Sequence, residues 1–179
     1  KFMNRIFHSA KPECRHQALI VFILDICPIQ QYYFDLTYPI LSIHKQDMNS
    51  SIHELIDDFA LFSDWEERYA YLIDLGKKLT PMDESLKNEN TLVPGCVSKV
   101  WMVLEEQDDQ IHFIADSDAH IVRGLIGILA RIYNGRTRAE ISEIDMEEVF
   151  RQLGLDGHIT PNRRNGFFAM VKKIEAFAK

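Results

Sequence analysis

The chain has 179 residues, 46% of them hydrophobic and 26% charged. That suits one globular domain with or without an appendage and excludes two large domains, collagen or disorder throughout. Twenty Lys and Arg against 27 Asp and Glu leave a net charge of −7, a balance that repels phosphate backbones and anionic lipid, so neither nucleic acid nor a membrane is an expected partner.

Cys14, Cys27 and Cys96 are a sparse, odd set, unlike the dense even pattern of a disulfide-stapled secreted domain, and the expected compartment is the cytoplasm. The apolar run Ala18 to Leu24 resumes after Asp25 only as far as Ile29, short of the roughly 18 residues a membrane-spanning helix needs. Basic residues precede that run, but no small-x-small cleavage site follows it, which argues against a secretory signal. Residues 1–47 carry 5 basic and 4 acidic side chains and no clear period, whereas residues 48–179 carry 15 and 23 and are periodic throughout. Met48 followed by Asn49, Ser50 and Ser51 reads as a translation start. Residues 1–47 are therefore read as an N-terminal extension and a candidate for a mis-set start, with the folded domain at 48–179.

Ser51-x-x-Glu54 reads as a capping box before a helix of about Ile52 to Phe62, and Ser63-x-x-Glu66 as a second before a helix ending at Gly76-Lys77-Lys78. Thr80 to Gly95 has two prolines and little periodicity, a loop long enough to be functional or mobile. Val97 to Glu105 and Ile111 to Ala115 predict an antiparallel hairpin, and Thr91 to Val93 a short third strand before the Pro94-Gly95 turn. Asp116-Ser117-Asp118 offers cap oxygens to an apolar helix closed by Asn134-Gly135, inside which Gly124 and Gly127 suggest close packing rather than a phosphate loop. Thr137-x-x-Glu140 and Asp145-x-x-Glu148 open two shorter helices, and Thr160-Pro161 opens the last one. The expected fold is α+β in two layers, a small antiparallel sheet of about three strands covered by helices.

Cys96 stands out for its setting. Pro94 and Gly95 precede it and a strand follows, so its thiol can sit at the tip of a turn. Residue types alone leave several readings open. A free cysteine is commonly a small buried hydrophobe. A hydrolase would need His112, His120 or His158 as base beside the thiol, and an assembly module would bind through acidic surface without using the thiol. No metal-ligand spacing accompanies Cys96. Arg163 and Arg164 stand in the first turn of the last helix, where a cation opposes the helix dipole, a hint of a partner or an acidic neighbour. Asp118 most simply caps its helix, and Trp101 most simply fills the core.

The run Val93-Pro94-Gly95-Cys96-Val97-Ser98-Lys99-Val100-Trp101 resembles the Gly-Cys-x-Ser-x-Val-Trp signature of the SufE family of sulfur-acceptor proteins. Trp65-Glu66-Glu67-Arg68-Tyr69 with Leu75-Gly76, Asp116-Ser117-Asp118-Ala119 with Ile121-Val122 and Gly124-Leu125, and His158-Ile159-Thr160-Pro161 with Arg163 and Gly166 resemble its other blocks in order. The resemblance covers roughly Ser51 to Lys179 and assigns Cys14 and Cys27 no role. It implies a fold like that of the scaffold protein IscU. It also implies a protein without its own cofactor that takes persulfide sulfur from a SufS-like cysteine desulfurase, where pyridoxal phosphate resides, and serves iron-sulfur cluster assembly on a SufBCD-like scaffold. Cys96 would be the acceptor and would stimulate the desulfurase. Gly95, Ser98 and Asp118 would support its loop, and Arg163 would contact the partner. Val97 departs from the polar residue that follows the cysteine in several relatives, which bears on how the loop packs.

Overall fold

The structure, a computed structural model, describes residues 50–179. The expectations for residues 1–47, Cys14 and Cys27 included, lie outside the described residues. Helix α1, helical from residue 50 to residue 60, buries Leu55 and Phe59. Ser51 is already inside it, and its hydroxyl accepts from Arg136 Nη2 at 2.5 Å, so Ser51-x-x-Glu54 is not the capping box its sequence suggests. Helix α2, Trp65–Lys77, is capped one residue later than expected. Asp64, not Ser63, accepts from the Glu67 amide at 2.9 Å, because a carboxylate makes the stronger bond to an orphan N–H.

Strands β1, Val100–Gln107, and β2, Gln110–Ser117, form the expected hairpin in the register Val100 to Ser117 and Gln107 to Gln110, with β1 starting at Val100 rather than Val97 and both strands running further toward the turn than the sequence suggests. Its two-residue turn is Asp108-Asp109, both at positive φ (52° and 63°), a conformation that acidic side chains tolerate better than most. Alternation sends Val100, Met102, Ile111, Phe113 and Ala115 into the core, while Trp101 stays partly exposed on the opposite side with Lys87 Nζ 5.9 Å from its ring centre. Trp101 therefore does not fill the core.

Helix α3, His120–Tyr133, is the central element, with ten of its residues buried. Burial of each large aliphatic side chain there contributes about 2 kcal/mol. Helix α3 packs on α2, β2 and helix α6, Pro161–Phe177. Its seam with α2 depends on glycines. A Cβ on Gly124 would stand 2.4 Å from the Leu72 carbonyl oxygen, one on Gly76 2.8 Å from Gly124 N, and one on Gly127 3.0 Å from Leu75 backbone. The close packing expected of Gly124 and Gly127 is thus present. Asn134 ends the helix by bonding the Phe113 backbone at both its amide nitrogen and its oxygen. Gly135, at φ 77°, then donates to Ile111 O at 2.9 Å.

That turn lays strand β3, Arg136–Thr137, against β2, completing a sheet of order β1-β2-β3. The third strand is therefore β3. Thr91 to Val93 contributes one bridge, Leu92 to Trp101. Helix α4, Arg138–Ser142, has the expected reciprocal capping box of Thr137 and Glu140, and helix α5, Met146–Gln152, the expected Asp145 cap. Phe150, Phe167, Met170 and Ile174 join α5 and α6 to the core. The result is the expected α+β fold, a small three-stranded antiparallel sheet with one face covered by helices.

Candidate functional site around Cys96

The loop that carries Cys96 is pinned at both roots. Val93 N donates to Val100 O and Met102 N to Thr91 O, each at 2.8 Å. Lys173, reaching across from α6, donates to Met102 O at 3.1 Å and Thr91 O at 3.5 Å. On the far side Lys99 N donates to Asp118 Oδ1 at 3.1 Å, and Asp118 N donates to Lys99 O at 3.3 Å. Between those ties no backbone hydrogen bond to another described residue holds residues 94–98. Gly95, at φ 87°, makes the reversal that side-chain-bearing residues resist.

The free segment is shorter than the whole Thr80 to Gly95 loop. Within that loop a 3₁₀ turn, Glu84–Leu86, is capped by Asp83. Lys87 Nζ bonds Asp116 Oδ2 at 2.9 Å, and Met82 and Val93 are buried.

Cys96 points inward from this loop. Its Sγ donates to Gly166 O on α6 at 3.5 Å. Around it lies a cavity of about 20 Å³ lined by Val97, Ser98, Val122, Asn162, Arg163 and Gly166, room for about one water. Burial pushes the thiol above its ordinary pKa, since a thiolate loses hydration there and gains no cationic partner in return. The inward thiol is thus protonated and poorly nucleophilic at neutral pH.

Several expected residues converge. Ser98 and Arg163 line the cavity with Cys96. Arg163 is exposed, and its side chain makes no ion pair with another described residue, whereas Arg164 bonds Glu147 and Asp156 and lies over the Phe168 ring. The two arginines, alike in sequence, divide into one that is satisfied locally and one that is not. Asp118 is not the helix cap. Ala119 is the N-cap, and its methyl can accept no hydrogen bond; the Asp118 carboxylate is instead engaged by the Lys99 amide at the end of the cysteine loop. Asp116 lies in β2, held by Lys87 and by Arg123 Nε at 3.3 Å. Val97 is 79% exposed at the loop tip.

None of His112, His120 and His158 lines the cavity, and His158 is stacked on Trp65 at 4.5 Å between ring centres. The thiol-base pair of a hydrolase is not assembled. Among the described residues no cluster of three or more His, Cys, Asp or Glu is placed to hold a metal ion, and no helix is long and apolar enough to cross a membrane. Two contributors were not anticipated from the sequence. Lys173 reads there as an ordinary solvated lysine. Asn162 carries no signal at all.

A family model described as SufE, Fe-S metabolism associated domain, matches residues 53–178. The chain belongs to the SufE family. SufE-like proteins of Rhizobium meliloti strain 1021 and Rhizobium etli are 40% and 41% identical over 134 residues. Each match covers 73% of this chain, with 96% and 90% of the relatives' lengths. The solution structure of a hypothetical protein from Thermus thermophilus shares the fold at a TM-score of 0.60 and 18% identity, over 72% of this chain and 93% of that one. Membership in SufE associates the chain with iron-sulfur metabolism.

Proposed function

We propose that this SufE-family protein is a sulfur acceptor that receives persulfide sulfur from a cysteine desulfurase on Cys96, stimulates that enzyme, and delivers the sulfur for iron-sulfur cluster assembly. The observation that carries the reading is a half-buried thiol on a segment tied down at both roots and without a backbone hydrogen bond between them. Sulfur exchange needs a thiolate that can reach another protein's sulfur, while a permanently exposed thiolate would oxidise. A loop that shelters the thiol at rest and turns outward on docking meets both demands.

In the transfer step the Cys96 thiolate attacks the outer sulfur of the desulfurase persulfide. The partner's sulfur-sulfur bond breaks, its cysteine leaves as thiolate, and Cys96 becomes the persulfide. No electrons are gained or lost overall. Docking favours the outward loop only to the extent that the partner binds it better than the inward one. Exposed Arg163 beside the cavity mouth is assigned to partner contact. Gly95, Ser98 and Asp118 are assigned to loop support, Asp118 through its bond to the Lys99 amide. A SufS-like enzyme carrying pyridoxal phosphate is the donor in this reading, and a SufBCD-like scaffold is the destination.

Desulfurase turnover with free cysteine tests it. Addition of the protein is expected to stimulate sulfide release, and the Cys96→Ser variant, folded normally, to give none of that stimulation. Undiminished stimulation by the variant would refute the reading.

A further inference from the structure

The thiol's resting place is built from one missing side chain. A Cβ placed on Gly166 would meet Cys96 Sγ at 3.0 Å, Cys96 Cβ at 3.5 Å and Cys96 Cα at 3.7 Å. All three nearest neighbours are atoms of Cys96, although the two residues are 70 positions apart. Gly166 is itself buried inside α6, six residues into a 17-residue helix. It has no positive φ to account for it, and glycine there weakens the helix relative to alanine. The same residue's carbonyl accepts the thiol proton. Its lack of a side chain and its carbonyl together form the floor of the seat, whose remaining free space is about 20 Å³.

We infer that Gly166 is a positioning residue whose bare backbone holds the reduced Cys96 thiol inward and thereby sets how far the cysteine loop favours the sheltered state over the exposed one. The consequence for sulfur transfer rests on the reading of Cys96 as acceptor; the positional claim does not. A methyl at 166 can be relieved only by moving α6 or by moving Cys96. Helix α6 is anchored in the core by Phe167, Met170, Val171 and Ile174 on the same helix, whereas residues 94–98 lack backbone bonds. The Cβ and Cα distances are ordinary van der Waals contacts, so the strain falls on Sγ, and the thiol, turning out of its seat with its loop, yields before the helix does. Once outward, the thiol regains hydration, and the burial that pushes its pKa up is removed.

The test measures Gly166→Ala by iodoacetamide labelling of Cys96 across pH, in the full chain and without any desulfurase, so that it reads the positional claim alone. Labelling near neutral pH is expected to be roughly three- to tenfold faster, with the midpoint of the rate profile moved toward that of an ordinary thiol. Gly157→Ala, where an added Cβ meets nothing within 4 Å, is the control and is expected to label like the unsubstituted protein. A denaturation cycle with Cys96→Ala supplies a readout independent of labelling. Gly166→Ala is expected to raise the unfolding midpoint more in the Cys96→Ala background, where Sγ is gone, than in the background that keeps it. Unchanged or slower labelling with an unmoved pH profile, or equal shifts in the two backgrounds, overturns the inference. Failure of desulfurase stimulation alongside the expected labelling result would instead remove the acceptor reading and leave Gly166 in place.

Discussion

Two of the close glycine contacts among the described residues differ in what stands opposite the glycine. At the seam of α2 and α3 the atoms against Gly76, Gly124 and Gly127 are mainly backbone of the opposing helix, as near as 2.4 Å from an added Cβ. At α6 the atoms against Gly166 belong to one residue of a loop. In the first place a missing side chain locks two rigid rods together. In the second it makes room for the side chain of one loop residue, Cys96. The same sequence device stands opposite rigid backbone in one place and one loop side chain in the other, and on the proposed reading the second is the contact that opens.

The sharpest way to break this comparison is Gly124→Ala. The methyl would press on the Leu72 carbonyl, which cannot rotate away, and a loss of about 3 kcal/mol is expected from overpacking, read as a lower denaturant midpoint. A change in midpoint no worse than that of Gly166→Ala would mean that the two seats are equally soft. Next is Lys173→Met, which keeps much of the packing but removes the donor to Thr91 O and Met102 O. About 1.5 kcal/mol is expected, accompanied by faster amide exchange at Val93 and Met102 than elsewhere in the sheet. Unchanged exchange there would show that the loop roots do not depend on α6.

A smaller effect concerns pH. The folded thiol's pKa lies above its unfolded value because of burial, so between those two values the folded state keeps a proton that the unfolded chain has released. Its stabilising contribution is complete below the unfolded value, about 8.5, and is lost as pH rises through the folded one. The unsubstituted protein is expected to lose a few tenths of a kcal/mol more than Cys96→Ser across that window. Parallel stability curves would show that the thiol is not sheltered in solution.

The fold was legible where local chemistry decides alone. The apolar stripe of α3, the hairpin around Asp108-Asp109, the Thr137-Glu140 box and the Pro161 start of α6 could each be read from a few neighbouring residues. Local chemistry does not decide where a distant group claims a side chain. Asp118 turned from its helix to the Lys99 amide, Ser51 was taken up by Arg136, and Trp101 found Lys87 instead of the core. Strand β3 is two residues without a β pattern, and it exists because Gly135 turns the chain onto Ile111.

In the candidate site, the proline and glycine before it single out Cys96, while the unfavourable place in the helix singles out Arg163 and Arg164 alike and only the structure separates them. Gly166 was visible only as part of a family block. An interior glycine in an otherwise helix-forming segment was the available signal for close approach, but nothing in the sequence names Cys96 as what approaches.

The most direct measurement of the central claim is the intact mass of the protein after mixing with a cysteine desulfurase and free cysteine, followed by peptide mapping under non-reducing conditions. The account predicts a gain of one sulfur atom, located on Cys96 and absent when cysteine is omitted. A protein that stimulates the desulfurase yet carries no added sulfur, or carries it on another residue, would contradict the account.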